Sequence, residues 1–182
     1  IPIGNDFELL VNPFPILQLH FTIPAKMHQP QLIREHYDKM RQLLDRFEQL
    51  TVFYNGPKCG ASAPDHMHLQ AGMGSHLPVR DNWDMLYSNR QTLLVAQDGA
   101  ELAALTNYAC PALAIIANNA DTDAQLFETL YQALPQREDE TEPMFNILKW
   151  RHNNVFITVV IPRDKHRPAC YSAEGDAQML IS

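Results

Sequence analysis

Residues 51–72 constrain this chain more than any other stretch. Residues 51–54 are a short run of strand-favouring side chains. The loop that follows, from Asn55-Gly56-Pro57-Lys58 through Cys59-Gly60-Ala61-Ser62 to Ala63-Pro64-Asp65, is mostly small residues and turn formers. Residues 66–71 then alternate as a strand does: His66, His68 and Gln70 share one face, while Met67 and Leu69 point into a core. Two imidazoles and a carboxamide in a row, beside a loop rich in open backbone N–H groups, suit work on a phosphate.

Around that stretch the chain falls into short runs. Residues 7–11 read as a strand stopped by Asn12-Pro13-Phe14-Pro15, and residues 17–23 as a second strand ended by Pro24. Pro30 can open a helix. Leu32, Ile33, Tyr37, Met40, Leu43, Leu44, Phe47 and Leu50 then carry an amphipathic period over residues 31–50. Residues 83–88, 92–96, 102–107 and 112–117 are strand-like, with a hairpin turn at Asp98-Gly99. A second helix is predicted over residues 121–134, capped by Asp121 or Thr122. Residues 144–150 and 155–161 form a hairpin turned at His152-Asn153-Asn154, after a solvated acidic connector over residues 136–142. Antiparallel strands with few helices predict an α+β fold. The expected organisation is a catalytic region over residues 1–135, the connector, and a C-terminal hairpin over residues 143–182 that completes the domain or opens a degenerate repeat. The pattern I-P-x-x-x-H-x-P occurs at residues 23–30 and again at 161–168, either by chance or as a duplicated strand-to-helix junction.

At 182 residues the chain can build one domain with a full core, or one domain plus part of a second. No apolar run is long enough for a membrane span, and no signal-peptide pattern is visible. A net charge of −7 argues against general nucleic-acid binding, yet leaves room for a local basic pocket that takes a small anion. Cys59, Cys110 and Cys170 are widely spaced and form no C-x-x-C pair. Reduced thiols in a cytoplasmic protein are therefore expected, rather than a zinc site or a disulfide framework. The chain starts at Ile1, and residues 178–182 read as an interrupted element, so a longer native polypeptide is expected.

An H-x-H on a strand has three ordinary explanations. The first is a polar face that meets water. The second is a metal site: Gly60 stands six residues before His66, as in cupin-type sites, but Gly72 and Met73 occupy the places where the third ligand, a glutamate, should be. No metal is expected. The third is nucleophilic catalysis at phosphorus. A neutral imidazole can attack a phosphoryl group if its other nitrogen is held as a donor. The non-bridging oxygens then need N–H donors, which Gly60, Ala61 and Ser62 can supply from their backbone, with the Ser62 hydroxyl.

His66-Met67-His68-Leu69-Gln70 resembles the H-x-H-x-Q motif of the histidine-triad (HIT) superfamily. It is most similar to the transferase and phosphorylase branch, which includes galactose-1-phosphate uridylyltransferase, diadenosine tetraphosphate phosphorylase and GDP-L-galactose phosphorylase. The lead-in Gly60-Ala61-Ser62 resembles that branch's phosphate loop. Asn12-Pro13-Phe14-Pro15 through His20-Phe21-Thr22-Ile23-Pro24 resembles its nucleotide-pocket strands. Phe145-Asn146-Ile147-Leu148 and Val160-Ile161-Pro162-Arg163 resemble the C-terminal half of the dinucleoside phosphorylases. The resemblance implies a HIT-like antiparallel sheet with few helices and, in its C-terminal part, some of a degenerate second HIT-like half. It implies His68 as the nucleophile of a covalent nucleotidyl-histidine, with His66 supporting loop and phosphate geometry. Gln70 stands where HIT hydrolases carry a third histidine, which favours transfer to a non-water acceptor. Asn55 and Ser62 would bind ribose or phosphate oxygens. The implied donor is a nucleotide sugar or a dinucleoside polyphosphate, and the implied acceptor is phosphate or a sugar phosphate; no cofactor is implied, and a homodimer stays open. Hydrolysis and nucleotide binding without turnover are the rival readings.

Other residues carry weaker signals. His20 reads as packing or edge-polar, His28 and His166 as structural, and Trp83 and Trp150 as core. Arg163, Lys165, His166 and Arg167 form the one dense basic cluster, either a solvated turn or a site for a second phosphate or acceptor.

Overall fold

The structure is a computed structural model that describes residues 1–74 and 76–168. Cys170 and the interrupted element at residues 178–182 lie outside the described residues. Strands β1 (Pro2–Ile3) and β2 (Phe7–Glu8) make a small antiparallel ribbon. The other strands are β3 (Leu10–Val11), β4 (Phe21–Pro24), β5 (Leu50–Asn55), β6 (His68–Met73), β7 (Gln91–Val95), β8 (Glu101–Ala104), β9 (Leu113–Ala117), β10 (Phe145–His152) and β11 (Val155–Pro162). They form one antiparallel sheet in the order β3-β4-β6-β5-β10-β11-β9-β8-β7. The helices are α1 (Tyr37–Arg46), α2 (Pro78–Asp81), α3 (Trp83–Ser88) and α4 (Ala120–Ala133).

The strand order mirrors itself about the central β5–β10 pair. A strand–strand–helix–strand–strand unit, β3-β4-α1-β5-β6, recurs in the same spatial arrangement as β8-β9-α4-β10-β11. The two I-P-x-x-x-H-x-P segments leave β4 and β11, and in this arrangement β4 corresponds to β9. They are therefore not one junction used twice.

Register assigns the faces. Val52 pairs with Ala71 and Phe53 with Gln70, so neighbours on these strands face opposite ways. Ile23, Val52, Tyr54, Leu69, Ala71, Ile147 and Val160 lie on the face covered by α1 and α4, in one core with Met40, Leu43, Leu44, Leu126 and Phe127. Truncating Leu44, which is fully buried, to alanine would cost about 2–5 kcal/mol. Lys149 is buried on the same face and is held by Asp123 and the Tyr37 hydroxyl. The opposite face packs against α2 and α3 through Val79, Trp83 and Leu86, which meet Trp150, Ile157 and Val159. Those helices leave the face uncovered at the other end, over β4, β6, β5 and the start of β10. There lie Phe53, Asn55, His68, Gln70 and Asn146.

Several predicted boundaries differ. Residues 83–88 form a helix, α3, rather than a strand; it buries Trp83 and Leu86, one helical turn apart, and follows the short helix α2, which Pro78 opens and Val79 anchors. The helix expected over residues 31–50 holds only for α1, after a 3-10 turn at Arg34–His36. Phe47 leaves helical geometry, and Leu50 starts β5. Residues 17–19 are a turn, with Leu19 at φ 50°, and β4 begins at Phe21. Asn119 caps α4, its side chain accepting from the amides of Asp121 and Thr122, which therefore lie inside the helix. The connector is solvated only in part: Glu142, its last residue, is buried. The hairpin of β10 and β11 forms as expected, with Asn153 and Asn154 both at positive φ, the geometry that tight two-residue hairpins need. Trp83 and Trp150 pack edge to face in the core. No helix among the described residues is long and apolar enough to cross a membrane.

Candidate active site

Asn55 ends β5 and His68 starts β6, so the two bracket the loop of residues 56–67. His68 is buried, and its Nδ1 lies 2.9 Å from the carbonyl oxygen of His66. A carbonyl can only accept, so Nδ1 carries the proton and Nε2 keeps its lone pair. Burial lowers the pKa of His68, which keeps the ring neutral at pH 7.

Gln70, on the same strand face, is oriented by His20. The amide of Ile16 donates to His20 Nδ1 at 3.2 Å, so His20 Nε2 bears the proton and donates to Gln70 Oε1 at 2.8 Å. The carboxamide is thereby fixed, and its NH2 has no hydrogen-bond partner among the described residues. His20 is itself buried, stacks on Phe53, and is held neutral by burial. The sequence reading of His20 is packing or an edge-polar position. The β4–β6 pairing of Thr22 with Gln70 places residue 20 beside residue 72 on this face, a signal that needs the register and not only the sequence. Gly72 lets Leu17, in the turn that leads to His20, lie against the strand, since a Cβ there would come within 2.8 Å of Leu17 Cβ.

His66 does not share that face. β6 begins at His68, and His66 lies in the loop, two residues before the strand. Its Nε2 donates to the Ala25 carbonyl at 2.7 Å, and its Nδ1 lies 3.2 Å from Nδ1 of His28. These bonds turn its ring toward residues 25–28. What His66 offers His68 is its backbone carbonyl.

On the other side of the loop, Asn146 joins three parts of the site. Its Nδ2 donates to Asn55 Oδ1 at 2.6 Å and to the Cys59 carbonyl at 2.8 Å, and its Oδ1 accepts from Arg163 at 2.6 Å. Among the described residues the Asn55 NH2 has no hydrogen-bond partner, which makes it a spare donor. Gly60 holds φ +94°, a conformation that L side chains resist, and its amide reaches Nδ1 of His166 at 3.4 Å. The amides of Ala61 and Ser62 have no hydrogen-bond partner among the described residues. An open cleft of about 860 Å³ is lined by Asn55, Gly60, Ser62, Asn146, Arg163 and His166, among others. An adjoining apolar pocket of about 240 Å³ is bounded by Ile16, Leu17, Phe53, Leu77 and Leu148, and it shares Ile16, Asn55 and Asn146 with the cleft. His68 and Gln70 line neither cavity; they stand on the same sheet face, beyond Phe53. Ala61 is buried behind the cleft wall, and Lys165 is exposed outside it, giving only its carbonyl to Arg163.

Asn55, Ser62 and the Arg163 guanidinium in the cleft beside the apolar slot, with the His68 lone pair and the Gln70 NH2 farther along the same sheet face, are groups that suit a nucleoside phosphate. Among the described residues no three His, Cys, Asp or Glu side chains converge as metal ligands. Cys59 is a buried free thiol pushed up to about 11 by burial, and Cys110 is an exposed free thiol.

The model of a domain of unknown function, DUF4922, matches residues 1–73. No curated protein matches the sequence. Among solved structures, a DUF4931 family protein from Bacillus cereus is similar at 19% identity and a TM-score of 0.60, over 94% of this chain and 88% of that one. Yeast Ap4A phosphorylase Apa2 is similar at 21% identity and a TM-score of 0.59, and its complex with AMP at 23% identity and 0.57. Each of these two matches covers 89% of this chain, which spans 58% of the length of the yeast enzyme's chain. At such identities the likeness is one of fold, and it agrees with the mirrored sheet and its helices: the chain has the HIT-like α+β fold seen in Ap4A phosphorylase.

Proposed function

We propose that this chain is a nucleotidyltransferase of phosphorylase type with His68 as its nucleophile. The observation that carries the reading is the buried, neutral His68 ring, whose Nδ1 is tied to the His66 carbonyl so that Nε2 is the available lone pair. Nε2 attacks the phosphorus that bears the nucleoside. The new N–P bond forms as the bond to the leaving phosphate breaks, and that group departs with the bonding electrons. The ring becomes cationic, and the His66 carbonyl at Nδ1–H stabilises it. Gln70, Ser62 and the amides of Ala61 and Ser62 serve the non-bridging oxygens, and Asn55 serves the ribose or a phosphate. Arg163 holds the leaving or incoming phosphate. The acceptor oxygen then attacks phosphorus, the N–P bond breaks, and the lone pair returns to Nε2.

The donor class is a dinucleoside polyphosphate or a nucleotide sugar, and the acceptor is phosphate or a sugar phosphate. The fold shared with a structure solved with AMP supports a nucleoside monophosphate as the transferred group. The apolar slot beside Asn55 would take the base. Intact-mass measurement after incubation with Ap4A, and with a panel of nucleotide sugars, tests the proposal. A nucleotidyl adduct that is lost in His68→Ala and discharged by phosphate supports it; tight nucleotide binding with no adduct from any donor overturns it.

A further inference from the structure

The Gln31 side chain occupies a place that a strand ladder would ordinarily fill. The β5–β6 pairing ends at Phe53 with Gln70, two residues short of Asn55 and His68. Beyond that point the chain opens into the loop of residues 56–67, and backbone groups at its neck would be left buried and unpaired. Gln31, fully buried, meets them with one carboxamide. Its Oε1 accepts from the His68 amide at 2.7 Å, and its Nε2 donates to the carbonyls of His68 and Asn55, both at 3.0 Å. The backbone of Gln31 is anchored in turn. Its amide reaches the Pro64 carbonyl at 3.4 Å, and its carbonyl accepts from the Tyr54 hydroxyl at 3.1 Å.

One side chain thus binds the entrance of the loop, its exit and the backbone of His68. We infer that Gln31 is a positioning residue: it closes the neck of the loop and sets the backbone from which the His68 ring projects, and so selects the tautomer that leaves Nε2 free. The tautomer depends on where His68 Nδ1 lies relative to the His66 carbonyl, two residues away in the same chain. If residue 68 is free to shift, that bond is lost and the proton exchanges between the two nitrogens. The catalytic part of this inference rests on the function proposed above; the structural part stands without it.

The test uses the whole chain and reads the ring directly. Long-range proton–nitrogen NMR of wild type, Gln31→Glu and Gln31→Met reports the His68 tautomer and its titration, with thermal unfolding as a check on folding. Wild type should show a single Nδ1–H tautomer titrating below the ordinary histidine value. The folded variants should show mixed tautomers titrating nearer to it. With Ap4A as donor, adduct formation in the variants should slow by about 100-fold, the size expected from a misplacement of about 1 Å, while AMP affinity stays within about threefold. Folded variants that keep the wild-type tautomer and titration overturn the inference. In wild type alone, the His68 amide should exchange with solvent as slowly as core-strand amides, and exchange at a loop-like rate overturns it even if neither variant folds. An absent adduct in wild type would reject the proposed function, yet leave the NMR and exchange results to decide the role of Gln31.

Discussion

Glu142 holds a proton that its surroundings can use, and replacing it by glutamine should change how stability depends on pH. Its carboxyl is buried between the Tyr54 hydroxyl and the Ile33 amide, which donates to Oε2 at 3.1 Å. Burial pushes this carboxyl up to about 7 from an ordinary 4.5. Burial also raises the Tyr54 phenol, which therefore keeps its proton. That single proton faces two acceptors, Glu142 and the Gln31 carbonyl. With Glu142 protonated, Glu142 can donate to Tyr54 and Tyr54 to Gln31, so every group is met. With Glu142 ionised, Tyr54 turns to the carboxylate, and the Gln31 carbonyl loses its donor. The folded state holds this proton between about pH 4.5 and 7 while the unfolded chain has released it, so stability falls as pH rises through that window and is level above it. At about 1.36 kcal/mol per pH unit the loss is on the order of 3 kcal/mol. In Glu142→Gln the amide group can donate to Tyr54 while its oxygen accepts from Ile33, so the loss should vanish. Urea unfolding of both proteins from about pH 4.5 to 8 measures it. Groups with lowered values, such as His20, His68 and Glu101, slope the opposite way in both proteins and cancel in the difference. A wild-type-minus-variant difference that stays flat across the window would refute the reasoning.

Further substitutions test the core pair beneath α1 and α4 and the loop at residue 60. Lys149→Met leaves Asp123 buried without its cation and should cost about 3–5 kcal/mol in urea unfolding, while adding Asp123→Leu should recover much of it; an unchanged single variant would mean that the pair is not desolvated. Gly60→Ala has open space but the wrong φ, and should lower stability by about 1–2 kcal/mol; a rise in the unfolding midpoint would show that residue 60 does not hold positive φ.

Elements with local causes were legible in the sequence. The β10–β11 turn follows from two asparagines that tolerate positive φ, and the turn at Asp98-Gly99 from a glycine at φ +85°. The amphipathic period of α1 survives in Met40, Leu43 and Leu44, all buried. For α3 the local signal is short: Trp83 and Leu86 stand three residues apart, as on one face of a helix, within a run whose aromatic residues also favour a strand. The H-x-H-x-Q pattern marked the strand and its open face, but it placed His66 on that face, whereas the bonds to Ala25 and His28 hold it off the sheet.

By itself the sequence determined short-range matters: which runs alternate, where turns can form, and that an imidazole and a carboxamide stand two residues apart on one strand. Tertiary structure decided what each of them does. His20 and Gln70 are 50 residues apart, Gln31 and His68 are 37 apart, and Ile33 and Glu142 are 109 apart. Each pair has a buried member, and a buried polar group away from water must find a partner wherever the fold brings one near. Periodicity and turn chemistry act over a few residues. The tautomer of His68, the orientation of Gln70 and the proton on Glu142 depend on what lies across the sheet.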